Sequence, residues 1–350
     1  MRRAALLVPV ALALGLVVAF AAPASACGSL VAPNGAVRLL RTTTLAAWHD
    51  GVEHYVTNFE FASNQPSFGS IIPLPGNPTD VRRGGRWTLQ RLEQEVQPPV
   101  RAVADGALRA SASADDVTVL RQTTIDSLDV TILRGGGSAV ARWAAQQGFT
   151  LTADTPAVLD FYARRSPYFM AARFDARSAA ARGLQVGDGI PVQLAIPTPA
   201  PWVPLRILGT GKPSSEIVHA DVFLLTDRKP ALLSGPGIRL TRSEPASAAL
   251  LDDLRRDTDT SWVPPTAWLT YLNVDTAVGD LSYDLATDVS GRSPRIADTG
   301  LVRYAGLHVP GAGRSRAWPW AATLSIVLSL AVGAVAVTLL LHPPRRFRRP

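Results

Sequence analysis

The chain has 350 residues and a formal charge of +7, from 35 lysines and arginines against 28 aspartates and glutamates. Six of the basic residues lie within 1–26 and 318–350, where the sequence has no acidic residue, so the region between them is nearly neutral. That balance gives no support to a nucleic-acid-binding surface. Residues 27–317 are long enough to form one large domain or two small ones.

The N-terminus has the three parts of a secretory signal, namely two arginines, an uncharged apolar run over 4–20, and small residues before a cysteine. We predict a signal peptide over residues 1–26, cleaved between Ala26 and Cys27. Acylation of Cys27 by the lipoprotein route is the alternative. Because the chain has one cysteine, it forms no intramolecular disulfide, which leaves Cys27 free, lipidated or in an inter-chain bridge.

The region after the signal begins with a predicted hairpin. Two segments rich in valine, threonine, leucine and aromatic residues, 37–48 and 52–61, flank Asp50-Gly51, a dipeptide typical of two-residue hairpin turns. A strand over 68–72 then leads into a proline-rich stretch, 73–78. We expect a loop or a sheet edge there, because proline lacks the N–H that a central strand donates.

Helices and strands alternate in the rest of this region. A helix is predicted to end at Gly148, and another begins at Thr155-Pro156, with threonine as its cap. The full set of further predictions is a helix over 86–96, a loop or candidate internal seam over 105–116, two strands within 117–134, a helix with Val140, Trp143 and Ala144 on one face, strands over 169–174, 191–196, 204–208, 220–226 and 267–274, and a helix over 243–256. The pattern predicts an α+β domain, mainly antiparallel sheet with a few helices.

The C-terminal region predicts one transmembrane helix. Residues 320–341 carry no charge, and 22 residues at about 1.5 Å each span the hydrocarbon layer of a bilayer. Interfacial tryptophans extend the predicted helix to 318–341. The arginines of the short basic tail, 342–350, outnumber those on the other flank, so the tail is predicted to be cytoplasmic and the 27–317 domain extracytoplasmic.

Small residues recur every fourth position within this predicted span, at Ser325, Ser329 and Gly333. Such a stripe lets two helices approach closely, which makes a homodimer one interpretation. The alternative is coincidence, because a span rich in alanine, serine and glycine shows this spacing without any contact.

Two histidines near the hairpin turn are candidates for a metal site. The predicted hairpin places His49 and His54 on one face, at a diagonal distance of about 7–8 Å. A third ligand from elsewhere would complete a site, although the spacing matches neither zinc-protease motif. Polar strand residues beside a turn are the other interpretation, and we expect no metal or cofactor.

Other polar and aromatic residues also have two interpretations. Acidic residues at 252, 253, 257 and 259 suit a hard cation, and arginines at 82, 83 and 86 suit an anionic lipid or wall polymer, whereas solvated surfaces explain both. Ser138 follows three glycines, and we predict a helix cap there rather than a nucleophile. Trp202 and Trp262, each in a Trp-Val-Pro sequence, are candidates for binding a partner, the alternative being core positions.

The motifs together resemble the bacterial DUF2330 family, a domain of unknown function, over roughly residues 26–290. They are the Ala-Cys-Gly start at 26–28, Phe68-Gly-Ser-Ile-Ile-Pro-Leu-Pro75, Trp143-Ala-Ala-Gln-Gln-Gly-Phe149, Leu159-Asp-Phe-Tyr162, Tyr168-Phe169, Pro204-Leu-Arg206, Trp268-Leu-Thr-Tyr-Leu272 and Asp280-Leu281. Gly28-Ser29 departs from the Gly-Gly that relatives carry after the cysteine. The resemblance implies an exported, membrane-anchored protein and supplies no catalytic residues.

The sequence therefore predicts a single-pass plasma-membrane protein that binds a protein partner or a component of the cell envelope, such as a wall polymer. An envelope hydrolase or transferase whose site is assembled from distant residues is the alternative, because a single sequence does not bring such residues together.

Overall fold

The computed structural model describes residues 30–31, 38–62, 67–96, 117–175, 179, 181 and 190–299. The predicted signal peptide, internal seam, transmembrane helix and basic tail lie outside this set. Within it, no helix combines the length and the apolar character needed to cross a bilayer.

Strands and helices of the described residues follow one another as an α+β chain. The strands are β1 Leu30–Val31, β2 Arg38–His49, β3 Val52–Ala62, β4 Ser67–Leu74, β5 Asp80–Arg83, β6 Thr118–Ile125, β7 Leu128–Arg134, β8 Tyr168–Asp175, β9 Val192–Pro197, β10 Ile217–Thr226, β11 Ala231–Leu233, β12 Ile238–Pro245, β13 Trp268–Ala277 and β14 Ala286–Asp288. The α-helices are α1 Arg86–Val96, α2 Gly137–Gln146, α3 Thr155–Ala163 and α4 Ala248–Arg255.

The strands form two large sheets and one small one. The larger sheet has seven strands in the order β12-β13-β10-β2-β3-β9-β5, and the second has five in the order β1-β4-β8-β7-β6, while β11 pairs with β14. Among the described strands, β10 and β2 pair in parallel and the other neighbours are antiparallel. The prediction of a mixed, mainly antiparallel fold is confirmed at this level.

The first hairpin forms as the sequence predicts. His49 pairs with Val52 across the turn, and Asp50 and Gly51 both have positive φ, at 46° and 80°. Positive φ at both central residues defines the turn that matches the twist of two antiparallel strands. The local sequence therefore sets the register of β2 against β3.

The seven-stranded sheet is covered on both faces. Along β2, Ala46 belongs to the larger core, which includes the five-stranded sheet, whereas Leu45 and Ala47 belong to a smaller core with α1 and α4. Alternating side chains of a strand point to opposite faces, so cover on both faces leaves β2 buried at every position over 42–47 rather than at every second one.

One predicted element is wrong, and one is confirmed with a qualification. The predicted strand 204–208 is instead a short 3₁₀ helix, Arg206–Gly209, because the backbone N–H groups of Leu205 and Arg206 donate to the buried carboxylate of Asp284 rather than to a strand. Pro73 lies inside β4, but among the described residues β1 pairs only with positions 69 and 70, so the proline occupies an unpaired edge.

Helix starts differ from the prediction in two places. The predicted helix 243–256 begins only at Ala248, because Ser243 still pairs with Thr270 in the sheet. Ser247 caps the helix by accepting a hydrogen bond from the N–H of Leu250 at 3.1 Å. The cap position of α3 is Asp154, one residue before the predicted threonine.

Candidate functional site

A row of polar side chains crosses the helix-covered face of the seven-stranded sheet. Asn273 on β13 pairs with Asp221 on β10, Asp221 pairs with Thr43 on β2, and Thr43 pairs with Asn58 on β3. Directly paired residues share a face, so these four side chains form one line across the sheet, which we call the polar row. The neighbouring positions on this face, such as Leu45 and Phe223, are apolar core.

Asp221 is the centre of the polar row and is fully buried. Its carboxylate forms an ion pair with Arg41 and accepts hydrogen bonds from the Tyr271 hydroxyl at 2.6 Å and from Asn273 Nδ2 at 3.4 Å. Burying an unpaired charge is costly, so this carboxylate depends on Arg41 and its hydrogen bonds.

Glu93 faces the polar row from α1. The Thr43 hydroxyl donates to Glu93 Oε1 at 2.7 Å. Burial raises the pKa of Glu93 above its ordinary value, and the negative charge of Asp221 adds to the rise, while the Thr43 hydrogen bond and Arg41 oppose it. The Thr43 hydroxyl therefore lies between two acids, the ion-paired Asp221 and Glu93, whose pKa is raised.

Contacts in the first turn and in the middle of α1 hold Glu93 in this place. Asp257 accepts hydrogen bonds from the backbone N–H and the hydroxyl of Thr88, both at 2.7 Å, and so caps the first turn of the helix. Further along, Arg91 donates to Asp253 of α4 at 2.9 Å. The helix is therefore fixed to α4 and its following loop.

The polar row reaches solvent on the side of Arg41, whose side chain is 35% exposed. His219, two positions before Asp221 and hence on the same face, is exposed and lies 3.4 Å from the carboxylate of Asp275. Asn58 Oδ1 is buried and has no hydrogen-bond partner among the described residues. The polar row thus offers both hydrogen-bond donors and acceptors to a polar ligand group. Glu93, whose raised pKa favours the protonated form, lies next to the row.

The two histidines that the sequence suggested as metal ligands have different partners in the structure. His49 Nδ1 contacts Asp227, and its Nε2 lies 3.5 Å from Asp50. These three form the one group of potential metal ligands found among the described residues, it is largely exposed, and it does not include His54. The ion pair between His49 and Asp227 is enough to explain why these side chains lie close together.

His54 instead packs under Trp262. The two rings stack with centroids 4.1 Å apart and planes 2° apart. Burial lowers the pKa of His54 to about 4, with nearby Arg82 and His49 adding to the effect. Trp262 is half-buried at the edge of the smaller core, whereas Trp202 is only 4% exposed and belongs to the larger core. Trp202 is therefore not placed to bind a partner.

The remaining sequence candidates have structural partners or lie elsewhere. Asp252 and Asp253 form ion pairs with Arg255 and Arg256, and Arg82 pairs with Asp80 and Asp259. Ser138 is not the cap of α2, which is Gly136; its hydroxyl donates to Asp160 at 3.0 Å. Ala26, Cys27, Ser325, Ser329 and Gly333 lie outside the described residues.

Sequence reasoning missed Arg41, Asp221 and Glu93. Asp221 falls within a segment predicted as a strand, between Ala220 and a run of apolar residues. An acidic residue inside an apolar strand was a detectable signal, since buried charges are rare and paired. Its partners were not detectable, because Arg41 is 180 positions away in the chain.

Comparison with known proteins identifies the family to which the chain belongs. A family model described as an uncharacterized protein conserved in bacteria, DUF2330, matches residues 21–226. This match covers more than half of the chain, so the chain belongs to the DUF2330 family. No curated protein matches it.

The solved structures to which the chain is similar include two of baculovirus P35. One, a crystal structure of P35, has a TM-score of 0.34 at 10% identity and covers 73% of this chain and 95% of that one. The other, a mutated P35 after caspase cleavage, has a TM-score of 0.33 at 10% identity and covers 67% and 93%. A likeness at this level carries no argument about fold or function.

Proposed function

We propose that this chain is an exported binding protein, held in the plasma membrane by one C-terminal span, that binds a protein partner or an envelope component such as a wall polymer through the polar row. The observation that carries this proposal is the fully buried Asp221 with its ion pair to Arg41. The proposed location rests on the predicted signal over 1–26 and the predicted membrane span over 318–341.

Stability alone does not explain the buried pair. Replacing a buried ion pair by well-packed apolar side chains is often neutral or stabilising. The surrounding face is packed with leucine and phenylalanine, so an apolar residue would fit the pattern at position 221. Because packing does not require a charge at this position, we assign the ion pair a binding role.

The chemistry of the polar row suits a polar, uncharged or weakly charged group. Arg41 supplies N–H donors, and the carboxylates and amides of Asp221 and Asn58 supply acceptors. Asn58 Oδ1 is already buried without a partner among the described residues, so a ligand hydroxyl or N–H that reaches it recovers a missing hydrogen bond. Hydroxyl and amide groups are common to wall polymers and proteins.

Site-specific photo-crosslinking in intact cells tests the proposal. Arg239 is exposed and pairs with Asn273, so a photo-reactive side chain there lies at the end of the polar row. We expect one discrete envelope product, lost when Arg41→Ala or Asp221→Asn is added. The matched control places the same group at Arg142, an exposed arginine on α2, and gives no such product. The same product from both positions, or none from Arg239, contradicts the proposal.

A specific observation favours an envelope hydrolase or transferase as the second candidate. Glu93, with a raised pKa, faces an ion-paired Asp221 across Thr43. Pairs of acids in different environments divide the roles of general acid and general base. Turnover of isolated envelope polymer by the purified full chain, abolished by Glu93→Gln, would establish this function. Absence of turnover, or turnover that Glu93→Gln leaves unchanged, would exclude Glu93 as the acid.

A further inference from the structure

A polar cavity lies on the five-stranded sheet, away from the polar row. It occupies about 50 Å³ between the C-terminal part of α2 and strands β4, β6, β7 and β8. We call it the α2 cleft. The polar and aromatic side chains that line it include Gln122, Asp129, Thr131, Arg173, Trp143 and Gln147.

The strand register brings the polar side of the cleft together. Gln122 pairs with Thr131, and Asp129 pairs with Arg173. Phe149, which also lines the cleft, lies against the backbone of Gly69, where a Cβ atom would come within 2.9 Å of the ring. The close approach of Phe149 to the sheet therefore requires glycine at this position.

An ion pair lies within the cleft. Arg173 Nη2 donates to Asp129 Oδ2 at 2.8 Å, and the Thr124 hydroxyl donates to the other carboxylate oxygen at 3.0 Å. Both charged side chains are partly exposed. A guanidinium has five N–H donors and a carboxylate about four lone-pair sites, so this pair has the capacity to bind further groups.

We propose that the α2 cleft binds the zwitterionic head group of a free α-amino acid. The ligand carboxylate contacts Arg173, and its ammonium contacts Asp129, so each ligand charge meets the opposite charge of the protein. The cavity of about 50 Å³ is several times the volume of about 10–15 Å³ that one buried water requires, so it admits a ligand group larger than water. Trp143 provides an apolar wall for a short side chain.

Calorimetry on the purified full-length chain tests this assignment. The probe is glycine, and acetate and methylammonium are the controls that carry one charge each. We expect saturable glycine binding and at least about tenfold weaker binding of either half-ligand. Acetate that binds as tightly as glycine would show an anion site only, and glycine that gives no saturable heat up to about 10 mM would overturn the proposal.

Substitutions in the α2 cleft test whether glycine binds there. Arg173→Gln and Asp129→Asn are each expected to weaken glycine binding by about tenfold or more. Arg142→Gln, on the exposed side of α2, is the matched control and leaves binding unchanged. Equal binding in all three variants would place glycine elsewhere and overturn the assignment. Should both cleft variants fail to fold, the three-probe comparison on the unaltered chain decides it.

Discussion

The hydroxyl of Thr43 donates a hydrogen bond to Glu93 Oε1 at 2.7 Å and so connects the centre of the seven-stranded sheet to α1. Thr43 is also the parallel-strand partner of Asp221. One hydroxyl thus lies between an acid of the helix and the buried acid of the sheet, and changes at this residue affect both.

Removing the Thr43 hydroxyl should raise the pKa of Glu93 further. The hydrogen bond favours the ionised carboxylate and so lowers the pKa of Glu93. Thr43→Val removes this effect, and the rise in pKa caused by burial and by Asp221 is then opposed by Arg41. Titration of the Glu93 carboxyl by carbon NMR measures the change. Thr118→Val, an exposed position on β6, is the control and leaves this titration unaltered. A Glu93 pKa that falls in Thr43→Val would contradict the assigned contact.

Replacing Arg41 should destabilise the fold through the charge left behind. Arg41→Ala leaves Asp221 buried without its cation, a change that costs about 3–5 kcal/mol in fully buried pairs. Because Arg41 is 35% exposed and partly screened, we expect about 2 kcal/mol. Urea unfolding measures this loss. Adding Asp221→Asn should recover most of it, and no recovery would show that Arg41 acts through packing alone.

Glu53→Gln should stabilise the protein at high pH. Burial raises the pKa of Glu53 well above its ordinary value, although the backbone N–H of Trp202 donates to it. The folded state therefore holds this proton more tightly than the unfolded state, so stability is full below pH 4.5 and is lost as pH rises through the folded pKa. Glutamine carries no titrating proton and still accepts from Trp202.

The expected gain is about 1–2 kcal/mol near pH 8, shrinking toward zero near pH 4. Unfolding curves of Glu53→Gln and the unaltered chain across this range measure it. Glu244→Gln, at the edge strand β12, provides the comparison and should show no such convergence. A constant difference across pH would mean that Glu53 is already ionised in the folded protein.

Trp262→Ala should raise the pKa of His54 from about 4 toward 6.5, because the indole ring covers the imidazole. The depressed value means that stability falls as pH drops from 6.5 toward 4, so the variant should lose less stability over this range. Proton NMR of the imidazole follows the titration. Trp87→Ala, a 41% exposed tryptophan on α1, is the matched control. An unchanged His54 titration would contradict burial by Trp262.

The correct sequence predictions depend on short-range patterns in the sequence. The Asp50-Gly51 turn, the Gly148 helix end and the apolar face of α2 each depend on residues within one turn or one helix length. The predicted helix over 243–256 failed at its start because Ser243 is held by a strand partner, Thr270, which no local pattern reveals.

The candidate site depends on pairings that the sequence does not specify. The polar row exists because β10 lies parallel to β2, which places Asp221 beside Thr43. Neighbours in a parallel pair are separated by long connections, and a shift of one residue would send Asp221 to the opposite face. The sequence could indicate an unusual acid at 221, but not the arginine that pairs with it.

Gly85→Ala should loosen the start of α1 and, through it, the position of Glu93. A Cβ atom at Gly85 would lie 1.9 Å from Asp257 Oδ2, the oxygen that caps the helix at Thr88. The carboxylate must move, so we expect a loss of about 1–3 kcal/mol from the displaced cap and overpacking. Gly136→Ala is the matched control, because no atom lies within 4 Å of a Cβ there, and it should cost less than about 1 kcal/mol. Chemical denaturation measures both, and hydrogen exchange of the Thr88 amide distinguishes a lost cap from a general loss of packing. Equal stability of the two variants, with the Thr88 amide still protected, would show that Asp257 does not hold α1 in place.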